Sequence, residues 1–424
     1  MKTVKFFTLG CKVNQYDTQS IRERFLRSGF REISNGNPSD VCVINTCTVT
    51  AHADAKSKYM ITRSIRENPR AKIIVTGCLV DKDALSISSI KGVDYIVSKR
   101  FFPQGISSFD GHTRAFLKVQ DGCNNFCSYC KVPLVRGRSR SRSLDEVIEE
   151  ARRLVRNGFK EIVLTGICLG SYGKDLKPKK SLVDAIQDIE KIDGLLRIRL
   201  SSIEARDVSK KLLATLAGSH KLCRHLHIPI QSGDNRILKL MRRKYSQEYY
   251  LKLIKRIKKA IPSIAITTDV LVGFPGETQQ QFNNTIRLIK AIEPLRVHIF
   301  PYSRRKDTIA DSLKDTLDAD TMRQRIATTH AVAQACERAF KGRFFNKNME
   351  VLVEKRSKDH SGYWEGYTDN YIRVLILSPQ VLTHQIIKVE LKEFQCDINQ
   401  EKEIGYIKDC GIINNVSDTV GNFR

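Results

Sequence analysis

The chain has 424 residues, about three domains' worth at roughly 150 residues each, and its 41% of hydrophobic residues exclude a wholly disordered polymer. Lysine and arginine total 72 against 46 acidic residues, a net charge of +26 that favours a polyanionic partner such as nucleic acid. No apolar run approaches the roughly 18 residues of a membrane-spanning helix; Met1 to Asn14 lacks the apolar centre of a secretory signal, so a cytoplasmic place is expected, and the twelve cysteines point to metal binding or catalysis rather than a disulfide framework.

Strands and helices alternate through the first hundred residues. Val4–Leu9, Asp40–Thr46, Lys72–Thr76 and Tyr95–Ser98 read as strands, and Gln19–Ser28 and Ala51–Glu67 as helices. That rhythm predicts a parallel sheet with helices on both faces. The middle repeats it on a larger scale, with strands at Phe116–Gln120, Glu161–Thr165, Arg197–Ser201, His225–Ile230, Ala265–Val270 and Val297–Phe300. Helical spacing follows at Leu144–Asn157, Leu182–Ile192, Lys210–Gly218, Ile237–Ala260, Gln279–Ile292 and Thr321–Lys341. Six βα units predict a partial barrel with its site at the strands' carboxyl ends. The last portion changes character: Met349–Lys355, Tyr371–Ile376, Gln385–Leu391 and Glu403–Lys408 are β-type runs without helices between them, as in a small all-β barrel. Trp364, Tyr367 and Tyr371 sit among them and are read as core. The expected organisation is an α/β unit over 1–110, a (βα)6 partial barrel over 111–339, a β-barrel over 340–408 and a tail over 409–424.

The charge divides unevenly. Residues 1–110 carry net +7, residues 111–339 net +19 and residues 340–424 net zero. Arg136, Arg138, Arg140 and Arg142 alternate with small residues and no acid; Arg242, Arg243 and Lys244 precede Tyr245; and Lys252, Lys255, Arg256, Lys258 and Lys259 crowd one helical stretch. Such runs are able to track a phosphate backbone, although a solvated helix face looks similar.

Six cysteines form two patterns. Cys123, Cys127 and Cys130 make a CxxxCxxC triplet after a predicted strand. Structural zinc normally takes four ligands, and no fourth follows at the usual spacing. An iron–sulfur cubane usually takes one cysteine per iron, so three would leave one iron open to a small molecule. Cys11, Cys47 and Cys78 each lie at or just past the carboxyl end of a predicted parallel strand, where open α/β sheets gather ligand groups. Gly10 and Gly77 each precede a cysteine and allow a tight turn. One buried cysteine of this kind is ordinary packing; three at equivalent strand ends are not. Cys42, Cys168, Cys223, Cys336, Cys396 and Cys410 show no such pattern.

These residues resemble the radical S-adenosylmethionine superfamily, and within it the methylthiotransferases, over nearly the whole chain. The opening TLGCKVNQYDT (Thr8–Thr18) resembles the branch acting on threonylcarbamoyladenosine in tRNA; branches acting on isopentenyladenosine or on an aspartate of a ribosomal protein usually read differently after the cysteine. LTGICLGSYG (Leu164–Gly173), RLSSIE (Arg199–Glu204), HIPIQSG (His227–Gly233), TTDVLVGFPGET (Thr267–Thr278) and HIFPYSRR (His298–Arg305) match the family's segments in order. Arg304, Arg305 and Lys306 stand where the family often has proline and glycine, which adds charge near the mouth. Residues 340–408 resemble the family's RNA-binding TRAM domain, though with a neutral balance.

The resemblance implies that Cys123, Cys127 and Cys130 hold a 4Fe–4S cluster whose open iron chelates S-adenosylmethionine, and that Cys11, Cys47 and Cys78 hold a second cluster carrying sulfur. It places Tyr129, Thr165, Gly166, Ser201, Gln231, Asp269 and Gly273 about the cofactor. One electron would release a 5′-deoxyadenosyl radical, which takes hydrogen from adenine C2; the cofactor supplies this hard step, and the barrel orients it. A second S-adenosylmethionine would methylate the sulfur that joins C2. No acid or base residue is assigned. Arg136, Arg138, Arg140 and Arg142 are expected on tRNA phosphates near the anticodon loop, whose bases splay out. A flavodoxin- or ferredoxin-type electron donor, a sulfur source and a monomeric state complete the expectation. A zinc-stabilised RNA-binding module without catalysis, and an ordinary α/β enzyme with reactive thiols, are the readings from other classes.

Overall fold

The computed structural model describes residues 1–34, 36–98, 105–314, 317–393 and the backbone of 411–413. In the N-terminal unit, β1 (Thr3–Thr8), β2 (Arg31–Glu32), β3 (Val41–Thr46), β4 (Lys72–Gly77) and β5 (Tyr95–Val97) form a parallel sheet of order β2-β1-β3-β4-β5. Helices α1 (Lys12–Arg27), α2 (Ala51–Glu67), α3 (Cys78–Lys82) and α4 (Ala84–Ser88) connect it. β3, VCVINT, is buried at every position, as a parallel strand covered on both faces must be. α1 begins seven residues before the expected Gln19. Its first turns bury Asn14, Asp17 and Thr18 against polar partners, so apolar periodicity does not mark them.

The second unit contains β6 (Arg114–Asp121), β7 (Arg140–Ser141), β8 (Glu161–Gly166), β9 (Arg197–Leu200), β10 (His225–His227), β11 (Ala265–Val272) and β12 (Arg296–Pro301). Its helices are α5 (Val132–Arg136), α6 (Leu144–Arg156), α7 (Leu182–Glu190), α8 (Lys210–Gly218), α9 (Asn235–Leu240), α10 (Gln247–Ala260), α11 (Gln279–Ile292) and α12 (Ala319–Gly342). The strands form two hydrogen-bonded groups, β7-β6-β8-β9 and β10-β11-β12, which meet at the parallel bridge Ser202–His227. The six expected strands are present, all parallel. α6 shows how a helix seats on them: a Ser143–Glu146 capping box starts it, satisfying orphan N–H groups, and Val147, Ala151 and Leu154 recur at helical spacing, wholly buried. The single helix expected over 237–260 is two. Between α9 and α10 the backbone turns at Arg242, φ +57°, and the Met241 carbonyl accepts from Ser128 N at 3.1 Å, so the break serves the CxxxCxxC loop.

The third unit is a curled, mainly antiparallel sheet: β13 (Asn348–Arg356), β14 (Tyr363–Thr368), β15 (Arg373–Leu377), β16 (Ile386–Glu390), β17 (Lys392–Glu393) and β18 (Gly411–Ile413). Glu365 and Gly366 interrupt the β-type pattern of β14, the strand that periodicity misses. Trp364 is in the core, as expected, with Val351, Val374 and Ile376. The run Glu403–Lys408, Cys396 and Cys410 lie outside the described residues. This unit closes the amino ends of the barrel strands: Arg199 donates to the Asp369 carbonyl at 3.0 Å, Arg197 to the Glu350 carbonyl at 2.8 Å, and Arg114 pairs with Glu354 at 2.5 Å. The N-terminal unit is therefore the neighbour of the carboxyl ends, where the two cysteine sets lie.

Candidate active site

Both cysteine sets sit on loops shaped by their neighbours. Cys11 precedes α1, Cys47 follows β3 and Cys78 opens α3 directly after β4; strands in register, Thr46 beside Gly77, bring the three loops to one sheet edge. Gly10 has φ +97°, and a Cβ there would lie 2.8 Å from Cys47 Sγ. Gly77 has φ +101°, and its Cβ would lie 2.4 Å from the Thr46 carbonyl oxygen. Both positions need the left-handed backbone and the missing side chain. Asn14 locks the arrangement: its amide donates to the carbonyls of Leu9 at 2.8 Å and Thr46 at 2.9 Å, while its oxygen lies 3.7 Å from Cys78 Sγ. Burial, with Cys78 and Cys11 close by, pushes the Cys47 thiol up to about 11.

The CxxxCxxC loop leaves β6 at Gly122, φ +71°, where a Cβ would strike the Arg138 carbonyl at 2.1 Å. Cys123 N donates to the Gly137 carbonyl at 3.1 Å. A hydrogen bond from Cys168 lowers the pKa of Cys123, whereas burial pushes Cys130 up to about 11. Arg243 donates to Cys127 Sγ at 3.4 Å and pairs with Glu204 at 2.5 Å. Cys168, which the sequence pattern leaves unassigned, and Arg243 thus belong to the surroundings of this triplet.

The dispersed set and Cys130 of the triplet meet at a cavity of about 240 Å³, while Cys127 lines a neighbouring pocket with Glu204 and Arg243. Cys11, Cys47 and Cys78 line it from one unit, and Cys130, Tyr129, Gln231 and Asp269 from the other. Of the residues expected about the cofactor, Tyr129, Gln231 and Asp269 therefore face the cavity. Ser201 is buried, its hydroxyl has no hydrogen-bond partner among the described residues, and it does not line the cavity. Thr165 Oγ1 is spent on the Val163 carbonyl at 3.0 Å. Gly166 packs on Gln120, and Gly273 permits close approach of Met322; neither is among the cavity-lining residues. Phe300, Tyr302 and Ile167 also line the wall; their apolar character gave no signal in sequence distinguishing them from core.

The arginine run divides. Arg138 and Arg140 are exposed, but Arg136 is 2% exposed, contrary to the expected phosphate contact. It donates to Asp121 at 2.9 and 3.0 Å and to Asn14, and lies 3.5 Å from Asp17. Arg142 pairs with buried Glu150 at 2.6 Å and donates to Tyr16 Oη at 3.0 Å. Both are interior because carboxylates of the adjoining unit and helix compensate them. Arg243 departs in the same way from its exposed neighbours Arg242 and Lys244. Arg305 does not add free charge at the mouth. It is buried, pairing with Asp54 at 2.6 Å and donating to the Thr48 carbonyl at 2.9 Å, which ties the loop after β12 to the loop carrying Cys47.

Each thiol set fits a cluster rather than a single ion. Within each set the thiols are close enough to interact electrostatically, yet among the described residues neither triplet brings three sulfurs within 4.8 Å of one another as one ion would need, and Arg136 lies near enough to Cys78 and Cys11 for their charges to interact, offsetting thiolate charge. The comparisons agree. The Radical SAM superfamily model matches residues 117–289, and the model described as "Uncharacterized protein family UPF0004" matches residues 3–98. The fold and site define a radical S-adenosylmethionine enzyme. The threonylcarbamoyladenosine tRNA methylthiotransferase MtaB of Bacillus subtilis (strain 168) is 38% identical over 442 aligned positions, covering 96% of this chain and 98% of that protein. The MtaB of Thermotoga maritima is 34% identical, covering 88% and 91%, and the tRNA-2-methylthio-N(6)-dimethylallyladenosine synthase of Clostridium tetani is 34% identical, covering 85% and 87%. This chain belongs to the radical S-adenosylmethionine methylthiotransferase family. In fold it is similar to the radical S-adenosylmethionine methyltransferase TsrM from Kitasatospora setae, with TM-score 0.53 at 14% identity over 73% of this chain and 76% of that one.

Proposed function

We propose that this chain methylthiolates C2 of N6-threonylcarbamoyladenosine at position 37 of tRNA, giving 2-methylthio-N6-threonylcarbamoyladenosine. The observation that carries this reading is the cavity that Cys11, Cys47 and Cys78 line together with Cys130 of the CxxxCxxC triplet. Cys123, Cys127 and Cys130 would hold one 4Fe–4S cluster and Cys11, Cys47 and Cys78 the other. When bound, the clusters and S-adenosylmethionine supply one-electron and sulfur chemistry that no side chain offers.

The protein's own part is orientation and exclusion. Tyr129 packs edge-to-face on Phe274, ring centroids 6.5 Å apart, beside the first triplet. Gln231 holds a left-handed backbone, φ +62°, its N–H on the Asp269 carbonyl at 2.9 Å, which fixes both groups on the cavity wall. Leu271, Phe300 and Val135 keep part of that wall apolar, limiting water near a reactive centre. The exposed Arg138 and Arg140 are the members of their run able to meet the anticodon-loop phosphates. No helix of the described residues is long and apolar enough to cross a membrane. The reading includes a cytoplasmic monomer that meets tRNA, a reducing protein and a sulfur source.

The test uses anaerobically purified, cluster-reconstituted protein with S-adenosylmethionine, a reductant, and anticodon stem-loops carrying threonylcarbamoyl- or isopentenyladenosine. Mass spectrometry should find the methylthio group on the first loop. Product on the isopentenyl loop alone would overturn the substrate assignment. Colourless protein with zinc in place of about eight irons would overturn the chemistry.

A further inference from the structure

Below the cavity wall the barrel interior is basic. Inward positions of β11 and its neighbours descend from the cavity in rows set by strand register. Leu271 stands beside Phe300 and Asp269 beside His298; next come His227, Thr267 and Arg296, and then His225 beside Ala265. Parallel barrels normally fill such rows with valine, isoleucine and leucine. Here they carry three histidines and an arginine. His227 Nε2 meets Asp269 Oδ1 at 3.1 Å, and the His227 and His298 rings lie 5.6 Å apart.

Lys12 enters the same space from the N-terminal unit, its ammonium 5.9 Å from the Phe116 ring centroid. Phe116 shares its face of β6 with Arg114 two positions away, whose guanidinium lies 5.5 Å from the Tyr371 ring centroid. At the floor Tyr371 stacks on Tyr367 and lies against His225, with the guanidinium groups of Arg199 and Arg296 at 4.7 and 5.9 Å. Arg199 is answered by Glu161 at 2.6 Å and Arg114 by Glu354. No ion pair of Lys12 or Arg296 occurs among the described residues. Burial, and the charges of His227, Arg296 and Lys12, keep His298 below the ordinary histidine range against the opposing pull of Asp269. His227, Asp269 and His298 hold ligand-type atoms within 4.8 Å of one another, but the two neighbouring cations disfavour a metal ion there.

An anion suits this space. The threonylcarbamoyl group ends in a carboxylate about 5 Å from adenine N6, counting bond lengths. Adjacent inward rows are separated by about 6–7 Å along the strand. A base whose C2 faces the cysteine sets sends its N6 substituent away from them, down the lumen. We propose that Lys12, Arg296 and His298 form the pocket for the carboxylate of the threonylcarbamoyl group, so that the lumen selects this base over one carrying an apolar N6 substituent. This rests on the function proposed above and names the residues that would enforce its substrate choice. The discrimination is of the kind in which a site built for a polar group rejects the analogue lacking it.

The experiment is fluorescence anisotropy on the cluster-reconstituted protein, with labelled anticodon stem-loops bearing threonylcarbamoyladenosine or its neutral primary amide. The wild type should bind the acid about tenfold more tightly than the amide, the scale of one charge-assisted hydrogen bond. Lys12→Met and Arg296→Met should each move that ratio toward one, and Lys12→Arg should keep it. Thermal melts check folding, and should a variant fail to fold, the wild-type ratio decides alone. A wild-type ratio of one, or a tenfold ratio that persists in both methionine variants, overturns the pocket. Methylthio product on the acid loop together with a ratio of one would sink the pocket and keep the function; product confined to the isopentenyl loop would sink the function itself.

Discussion

Arg136 separates two accounts of the same residue. Its guanidinium lies between Asp121, Asn14 and Asp17 at the seam of the N-terminal unit and the barrel. Arg136→Met keeps much of the volume and removes the charge. Breaking a buried ion pair from one side costs about 3–5 kcal/mol. Lys118 still pairs with Asp17 and lies 3.7 Å from Asp121, so the low end, about 3 kcal/mol, is expected. At about 2–4 °C per kcal/mol for a unit of this size, the unfolding midpoint of cluster-free protein should fall by about 6–12 °C. Calorimetry measures that fall, and stem-loop affinity across about 50–200 mM salt measures phosphate contacts. The slope of affinity against salt should not change. A midpoint that stays put while the slope flattens would refute the structural role and return Arg136 to the RNA.

Arg138→Gln with Arg140→Gln should do the reverse, lowering the salt slope by about 0.7–0.9 per lost contact with little change in melting; an unchanged slope removes these residues from the interface. Gly10→Ala places a Cβ 2.8 Å from Cys47 Sγ at φ +97°, and iron analysis should fall from about eight to about four per chain, whereas full iron content would show that the loop tolerates the side chain. Arg305→Met unties the loop after β12 from Thr48 and Asp54. Limited proteolysis should then cut at residues 303–312 faster than in the wild type, and an unchanged digestion pattern would count against the tie.

Much of the fold was legible in the chain because parallel strands are buried on both faces and read as continuous apolar runs, as in β3 and β4. The cysteine sets were legible for a related reason: each residue of the dispersed set follows a strand, and strand ends are among the easier features to find. Polar interiors were not legible. The first turns of α1 look like a solvated loop, since Asn14 and Thr18 find partners on β3 and Asp17 on the barrel, all distant in sequence. Arg136 and Arg138 are two residues apart with the same side chain, and one is buried while the other is exposed. Composition has no way to tell them apart, because the compensating carboxylates come from distant segments.

By itself the sequence determined the order of strands and helices, the two triplets of thiols and an excess of positive charge, all of which are local or summed properties. Tertiary structure alone decided that Cys130 meets the dispersed triplet at one cavity, that half of the arginine run is interior, and that Lys12 reaches Phe116 of β6. The physical reason is range: an apolar run records its burial in its own residues, whereas the partner of a buried charge lies wherever the fold brings an opposite charge, here 251 positions away for Arg305 and Asp54.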